Sequence, residues 1–159
     1  MKRWLLLIPM LTVLFPLFSQ SNFYKSYDIG GDDYGNSVIG STSGIYVAGS
    51  TSKAGAGSYD AMLMKLDSTG GVQWQTQFGG TEFEAGWAVT HFHGGFLVAG
   101  TSNSVSSSHK SDIMISLVDS FGVYQGSAYF GFDSLDENAF DVTTVGDTDL
   151  LITGQTKAN

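Results

Sequence analysis

Apolar residues in this chain occur in short runs rather than in long amphipathic stretches, and the runs recur. Between Gly79 and Gly131 four segments have the composition of strands: Gly86 to Phe92, Gly95 to Thr101, Ser111 to Asp119 and Val123 to Phe130. Gly, Ser, Asn, Asp and His separate them, residues that favour turns and loops. Alternation is clearest in the third run of each copy. Met62, Met64 and Leu66 fall on one face and Ala61 and Leu63 on the other, and Met114 and Val118 are set against Ile113 and Ile115 in the same way. Ile45-Tyr46-Val47-Ala48, Phe96-Leu97-Val98-Ala99 and Leu150-Leu151-Ile152 are continuously apolar, which requires cover on both faces. No helical period persists beyond the N-terminal apolar stretch, so the predicted fold class is all-β.

The runs belong to an internal repeat. Gly30 to Val38 reads GGDDYGNSV and Gly79 to Val89 reads GGTEFEAGWAV, while GIYVAGSTS from Gly44 matches GFLVAGTSN from Gly95. DAMLMKLDSTGGVQWQTQFGG from Asp60 is answered by DIMISLVDSFGVYQGSAYFG from Asp112, and a third copy opens at Gly131. The spacing is 49 positions from Gly30 to Gly79 and 52 from Gly79 to Gly131. Four antiparallel strands in such a period are the content of one β-propeller blade. The predicted units are an outer strand over 23–29, a blade over 30–78, a blade over 79–130 and a partial blade over 131–159. Gly35, Gly86 and Ala139 place a small residue where first strands crowd toward an axis. Asp67-Ser68-Thr69-Gly70 and Asp119-Ser120-Phe121-Gly122 are predicted hairpin turns, Asp bonding local backbone and Gly taking positive φ. Closed propellers need at least about four blades, so the expectation is an open arc, cut from a longer parent and prone to self-association through open blade edges. A sandwich of regularly spaced short strands is the competing architecture.

The order of these motifs carries a family resemblance. Trp74-Gln75-Thr76-Gln77-Phe78-Gly79-Gly80, an acidic segment, a first strand reaching Val89, Phe96 to Ser102, then Asp112 and Asp119 to Gly122, resembles the secreted bacterial and archaeal β-propeller repeats called SBBP repeats. The match runs from about Phe23 to the end of the sequence and covers about two and a half repeats. The resemblance implies blade architecture and an exported or surface-attached protein, and it supplies no catalytic residues. Gly126 departs from the pattern, standing where the first copy has Trp74, which weakens the outer strand of the second blade.

The first residues fix the expected location. Lys2 and Arg3 precede an apolar stretch from Trp4 to Phe18, shorter than the roughly 20 residues of a spanning helix and broken by Pro9 and Pro16. Ser19-Gln20-Ser21 offers small residues for cleavage, so residues 1–20 read as a secretory signal peptide with no membrane span left after cleavage. With no cysteine, disulfides, thiolate metal sites and a lipoprotein anchor are excluded. The formal charge of −8 falls to −10 once Lys2 and Arg3 are removed, and no basic stripe exists to hold a nucleic acid.

Candidate chemistry is sparse. An acidic segment opens each copy: Asp32 and Asp33, then Glu82 and Glu84, then Asp133, Asp136 and Glu137. Blade stacking would bring these onto one rim able to take a hard cation such as calcium, although their spacing lacks the pattern of an EF-hand loop. His91 and His93 alternate with Phe92 without a third ligand, and they read with His109 as turn and surface residues. No Gly-x-Ser-x-Gly elbow or Ser-His-Asp set is present. The expected function is a secreted or cell-surface, non-catalytic binding or scaffold module with a protein or glycan partner and no cofactor. A propeller enzyme acting on carbohydrate through paired carboxylates is the alternative. N-terminal sequencing of the exported protein should find a chain that starts near Ser21, and a mature form retaining Trp4 would contradict the signal peptide.

Overall fold

The computed structural model describes residues 23–53, 55 and 57–158, and the expected signal peptide and its cleavage region lie outside them. Every regular element is a strand. In chain order they are β1 (Asp33–Ser41), β2 (Gly44–Thr51), β3 (Asp60–Leu66), β4 (Val72–Phe78), β5 (Glu84–Phe92), β6 (Gly95–Ser102), β7 (Asp112–Val118), β8 (Tyr124–Phe130), β9 (Leu135–Val145) and β10 (Asp149–Ala158). They form three antiparallel sheets, β1-β2-β3-β4, β5-β6-β7-β8 and β9-β10, none of them closed. Sequence neighbours pair throughout, as short turns between antiparallel strands dictate.

Local chemistry repeats from sheet to sheet. In the β3–β4 turn, Asp67 Oδ1 accepts from the amides of Thr69 and Gly71, both at 2.8 Å, and Gly70 takes φ of 76°. In the β7–β8 turn, Asp119 Oδ1 accepts from Phe121 and Val123, both at 2.9 Å, and Gly122 takes φ of 86°. These bonds replace ladder partners that the reversing backbone loses. The first strand of every sheet also has a β-bulge directly after the small residue noted above. The register shifts fall between Gly35 and Ser37, between Gly86 and Ala88, and opposite Thr153/Gly154. The bulge of the first sheet is tied to that of the second, Asn36 Nδ2 donating to the Gly86 carbonyl at 2.9 Å.

The sheets stack face to face in chain order. Tyr46, Ala48, Ala61, Leu63 and Phe78 of the first sheet meet Val89, Phe96, Val98, Met114 and Val118 of the second in one core. The opposite face of the second sheet, with Ala88, Leu97, Ala99 and Ile115, meets Ala139 and Val142 of the third. Alternation along β7 therefore serves two cores, Met114 and Val118 on one side and Ile113 and Ile115 on the other. Aromatic rings fill the first interface: Tyr46 lies 4.1 Å from Phe96 between centroids, and Phe78 stacks on Tyr124 at 5.3 Å. One position reports the stacking directly. Val89 and Val142 are each 5% exposed against the preceding sheet, while their counterpart Val38, on the first sheet, is 65% exposed.

Two expectations are corrected. Residues 23–29 form no strand, because an outer strand needs a third strand to pair with and none precedes them among the described residues. They lie instead against the first sheet: Tyr27 donates its hydroxyl to the Gly70 carbonyl at 2.9 Å, and Tyr27 and Ile29 share a cavity with Val47, Met62 and Met64. The run Leu150-Leu151-Ile152, expected to be covered on both faces, is covered on one: Leu150 and Ile152 pack on the second sheet, while Leu151 is 56% exposed. Gly126, expected to weaken the outer strand, leaves β8 the same length as β4 at seven residues. Its cost is a cavity of about 530 Å³ beside Gly126, Ala128 and Phe130. Truncating Leu63, fully buried between the sheets, should lower stability in urea unfolding by about 2–5 kcal/mol as Leu63→Ala, whereas exposed Leu151→Ala should change it by about 0.5 kcal/mol or less.

Candidate functional site

Where one sheet hands over to the next, the chain needs polar groups to hold a connection that belongs to neither ladder. Three carboxylates do this at equivalent positions. Asp33 accepts the Ile29 amide at 2.8 Å and the Thr51 hydroxyl at 2.6 Å. Glu84, with no exposed surface, accepts the Gly80 amide at 2.6 Å and the hydroxyls of Ser102 and Ser104 at 2.7 and 2.6 Å. Glu137, 4% exposed, accepts the Phe132 amide at 3.3 Å, and its Oε1 is buried with no partner among the described residues. The amides of the last two reach back a sheet: Glu84 N–H donates to the Tyr59 carbonyl at 2.8 Å and Glu137 N–H to that of Ser111 at 2.7 Å.

The remaining acidic residues go elsewhere. Asp32 is exposed and accepts the Tyr59 hydroxyl at 3.2 Å, Glu82 lies 3.9 Å from His109 on the surface, and Asp136 pairs with Lys110 at 3.2 Å. Asp133 is exposed in the turn before β9, where its carbonyl accepts the Ser108 hydroxyl. The seven carboxylates of the expected rim are thus spread over separate partnerships, and no group of three or more metal-binding side chains forms among the described residues. His91 packs its exposed ring against Phe96, and His93 and His109 take φ of 46° and 56° in turns.

Stacking brings two further carboxylates to these junctions. Asp60 and Asp112, the first residues of β3 and β7, are buried, and no donor among the described residues reaches either one. A Cβ on Gly79 would lie 2.4 Å from Asp60 Oδ1 and 2.7 Å from Glu84 Oε2, and one on Gly131 would lie 1.9 Å from Asp112 Oδ1 and 3.0 Å from Glu137 Oε2. Each carboxylate pair therefore spans about 5 Å or less, close enough for like charges to oppose one another's ionisation. Burial first, and then the facing Glu84, push the Asp60 carboxyl above its ordinary range. Asp112 is pushed up by burial, Glu137 and Asp133 in that order. The repeated Asp opening the third strand is plain in the sequence. Its facing partner comes from the next repeat and is set only by the stacking. Asp60, Glu84, Asp112 and Glu137 all fall among the buried residues, at the sheet junctions.

An open site adjoins the first junction. Tyr34, Asn36, Ser50 and Tyr59 of the first repeat, with Phe83 and Trp87 of the second, line a cavity of about 280 Å³. Tyr59 lies 5.8 Å from both Tyr34 and Phe83 between ring centroids, and its hydroxyl pKa is pushed up to about 12, chiefly by its hydrogen bond with Tyr34. The second junction has Ala85, Ser111 and Asp136 at the places of Tyr34, Tyr59 and Phe83, so the aromatic cluster belongs to one junction alone. No protein-family model matches the chain, and the search of curated proteins finds no significant match.

The Asp60 shift fixes a sign. Below the ordinary Asp value near 3.8 the carboxyl is protonated folded or unfolded, and as pH rises past it only the unfolded chain gives up the proton. Stability therefore falls with rising pH until the folded-state value is passed, and then the penalty stays constant. Asp60→Asn should unfold at a higher temperature than the parent at neutral pH and at the same temperature well below pH 3.8, as measured by thermal melts across pH.

Proposed function

We propose that this chain is an exported, non-catalytic β-propeller repeat protein in which each four-stranded sheet is one blade, and that it binds glycan at the cell surface or outside the cell. Support for the blade reading comes from three sheets that stack in chain order, repeat the same bulge and coincide with the sequence period, the first two also repeating the Asp turn. The Lys2-Arg3 and apolar N-terminal pattern supports export.

The observation that carries the binding reading is the cavity lined by Tyr34, Tyr59, Phe83 and Trp87. Sugar rings offer C–H faces that lie against aromatic faces, and hydroxyls that need a few placed polar groups. Asn36, Ser50 and the Tyr59 hydroxyl supply such groups at the rim of the same cavity. At about 280 Å³ the space suits one or two sugar residues of a longer chain, near the lower end of small-ligand sites. A chain of net charge −8 favours neutral over acidic glycans.

Native gel electrophoresis through gels cast with neutral polysaccharides tests the reading. At least one polysaccharide should retard the parent, and Tyr59→Ala or Trp87→Ala should abolish most of that retardation while Val38→Ala, on the exposed first strand, keeps it. Parent mobility unchanged in every such gel would overturn it.

A further inference from the structure

The two junctions share one backbone arrangement but differ in how their carboxylates are served. At the first, Glu84 takes three strong donors, and Asp60 accepts none from the described residues. At the second, the hydroxyl of Ser104 is replaced by the Ala158 methyl at the matching place, and no hydroxyl reaches Glu137 Oε1. Asp112 accepts no hydrogen bond among the described residues, and exposed Asp133 adds a further negative charge to its surroundings. Gly131, without a side chain, lets Asp112 Oδ1 and Glu137 Oε2 close in on the same point beside its backbone.

Buried carboxylate oxygens without donors carry a high desolvation penalty. One proton shared between Asp112 and Glu137 Oε2 would relieve part of it and still leave Glu137 Oε1 an acceptor with no partner. A divalent cation beside Gly131 would meet the Asp112 and Glu137 carboxylates together and offset the charge of both. We propose that the second junction is a calcium site, with Asp112 and Glu137 as its protein carboxylate ligands beside Gly131 and water completing the shell. Calcium suits the place because it accepts irregular oxygen coordination, whereas magnesium demands a near-ideal octahedron and gives up water reluctantly. The site differs from the rim expected from sequence: it includes Asp112 and leaves out Asp32, Asp33, Glu82 and Glu84. Bound there, the ion would clamp the second and third sheets, since β7 supplies one ligand and β9 the other. With two carboxylates, affinity should fall in the weak range of extracellular calcium modules, with Kd about 10⁻³ M.

Equilibrium dialysis of the full chain against radiolabelled calcium at neutral pH tests this, paired with thermal melts in calcium and in chelator. The expected result is about one ion per chain and a melting temperature that climbs with calcium concentration. Asp112→Asn and Glu137→Gln should each weaken binding by at least about 10-fold, the lower end of what losing even a supporting group costs a metal site, while Asp60→Asn leaves it intact. Asp112→Asn removes an unpaired buried charge, so in chelator it should melt no lower than the parent. That result separates loss of the site from loss of the fold. Absence of binding at about 10 mM calcium, ten times the expected Kd, would overturn the proposal. So would binding that Asp112→Asn leaves unchanged.

Discussion

The second sheet of this protein is set against the first by a residue that acts twice. The Glu84 backbone donates to the Tyr59 carbonyl of the preceding sheet, while its carboxylate gathers the Gly80 amide and the hydroxyls of Ser102 and Ser104 from its own. Glu137 repeats the backbone bond one sheet later, to Ser111. A connection crossing between stacked sheets has no ladder to satisfy its polar groups, so it must satisfy them locally, and a buried carboxylate can accept several donors at once. The apolar cores then follow, because the bond fixes which side chains of consecutive sheets come face to face. Hydrophobic burial supplies most of the driving force, and the junction supplies the register.

Several features of the fold were legible in the sequence for physical reasons. The second sheet's strands lie within two residues of their predicted bounds, because period-2 alternation and Asp-Gly turns are both local signals. The small residues Gly35, Gly86 and Ala139 marked a real common feature, a bulge at every first strand. Residues 23–29 misled because their sequence resembles an outer strand. A strand is a relation between two segments, and the second segment does not precede them among the described residues. The position of Leu150 and Ile152 likewise depended on the neighbouring sheet, which composition alone does not report.

The acidic segments show the same division. Their recurrence was visible, yet seven residues that look alike in sequence take unlike places: Glu84 and Glu137 are buried, Asp33 is half-buried, Asp136 pairs with Lys110, and Asp32, Glu82 and Asp133 stay at the surface. Asp60 and Asp112 escaped notice because each meets its acidic partner only across a sheet boundary. The aromatic cavity was also hidden, since Tyr34, Tyr59 and Phe83 lie far apart along the chain and converge only when two repeats stack. What repeats in this protein builds the scaffold. What fails to repeat, the aromatic cluster at one junction and the unserved carboxylates at the other, is where function has room to lie.

The central claim is that the Glu84 and Glu137 junctions hold the sheets in register, and amide hydrogen exchange tests it most directly. Both amides lie at sheet boundaries, where an unbonded chain would exchange as fast as the exposed turn residue Ser107. The account predicts that Glu84 and Glu137 exchange as slowly as the buried amides of β6, through opening of the whole stack. Exchange of either amide at the rate of Ser107 would contradict it, and would show that these junction bonds do not hold the sheets in register.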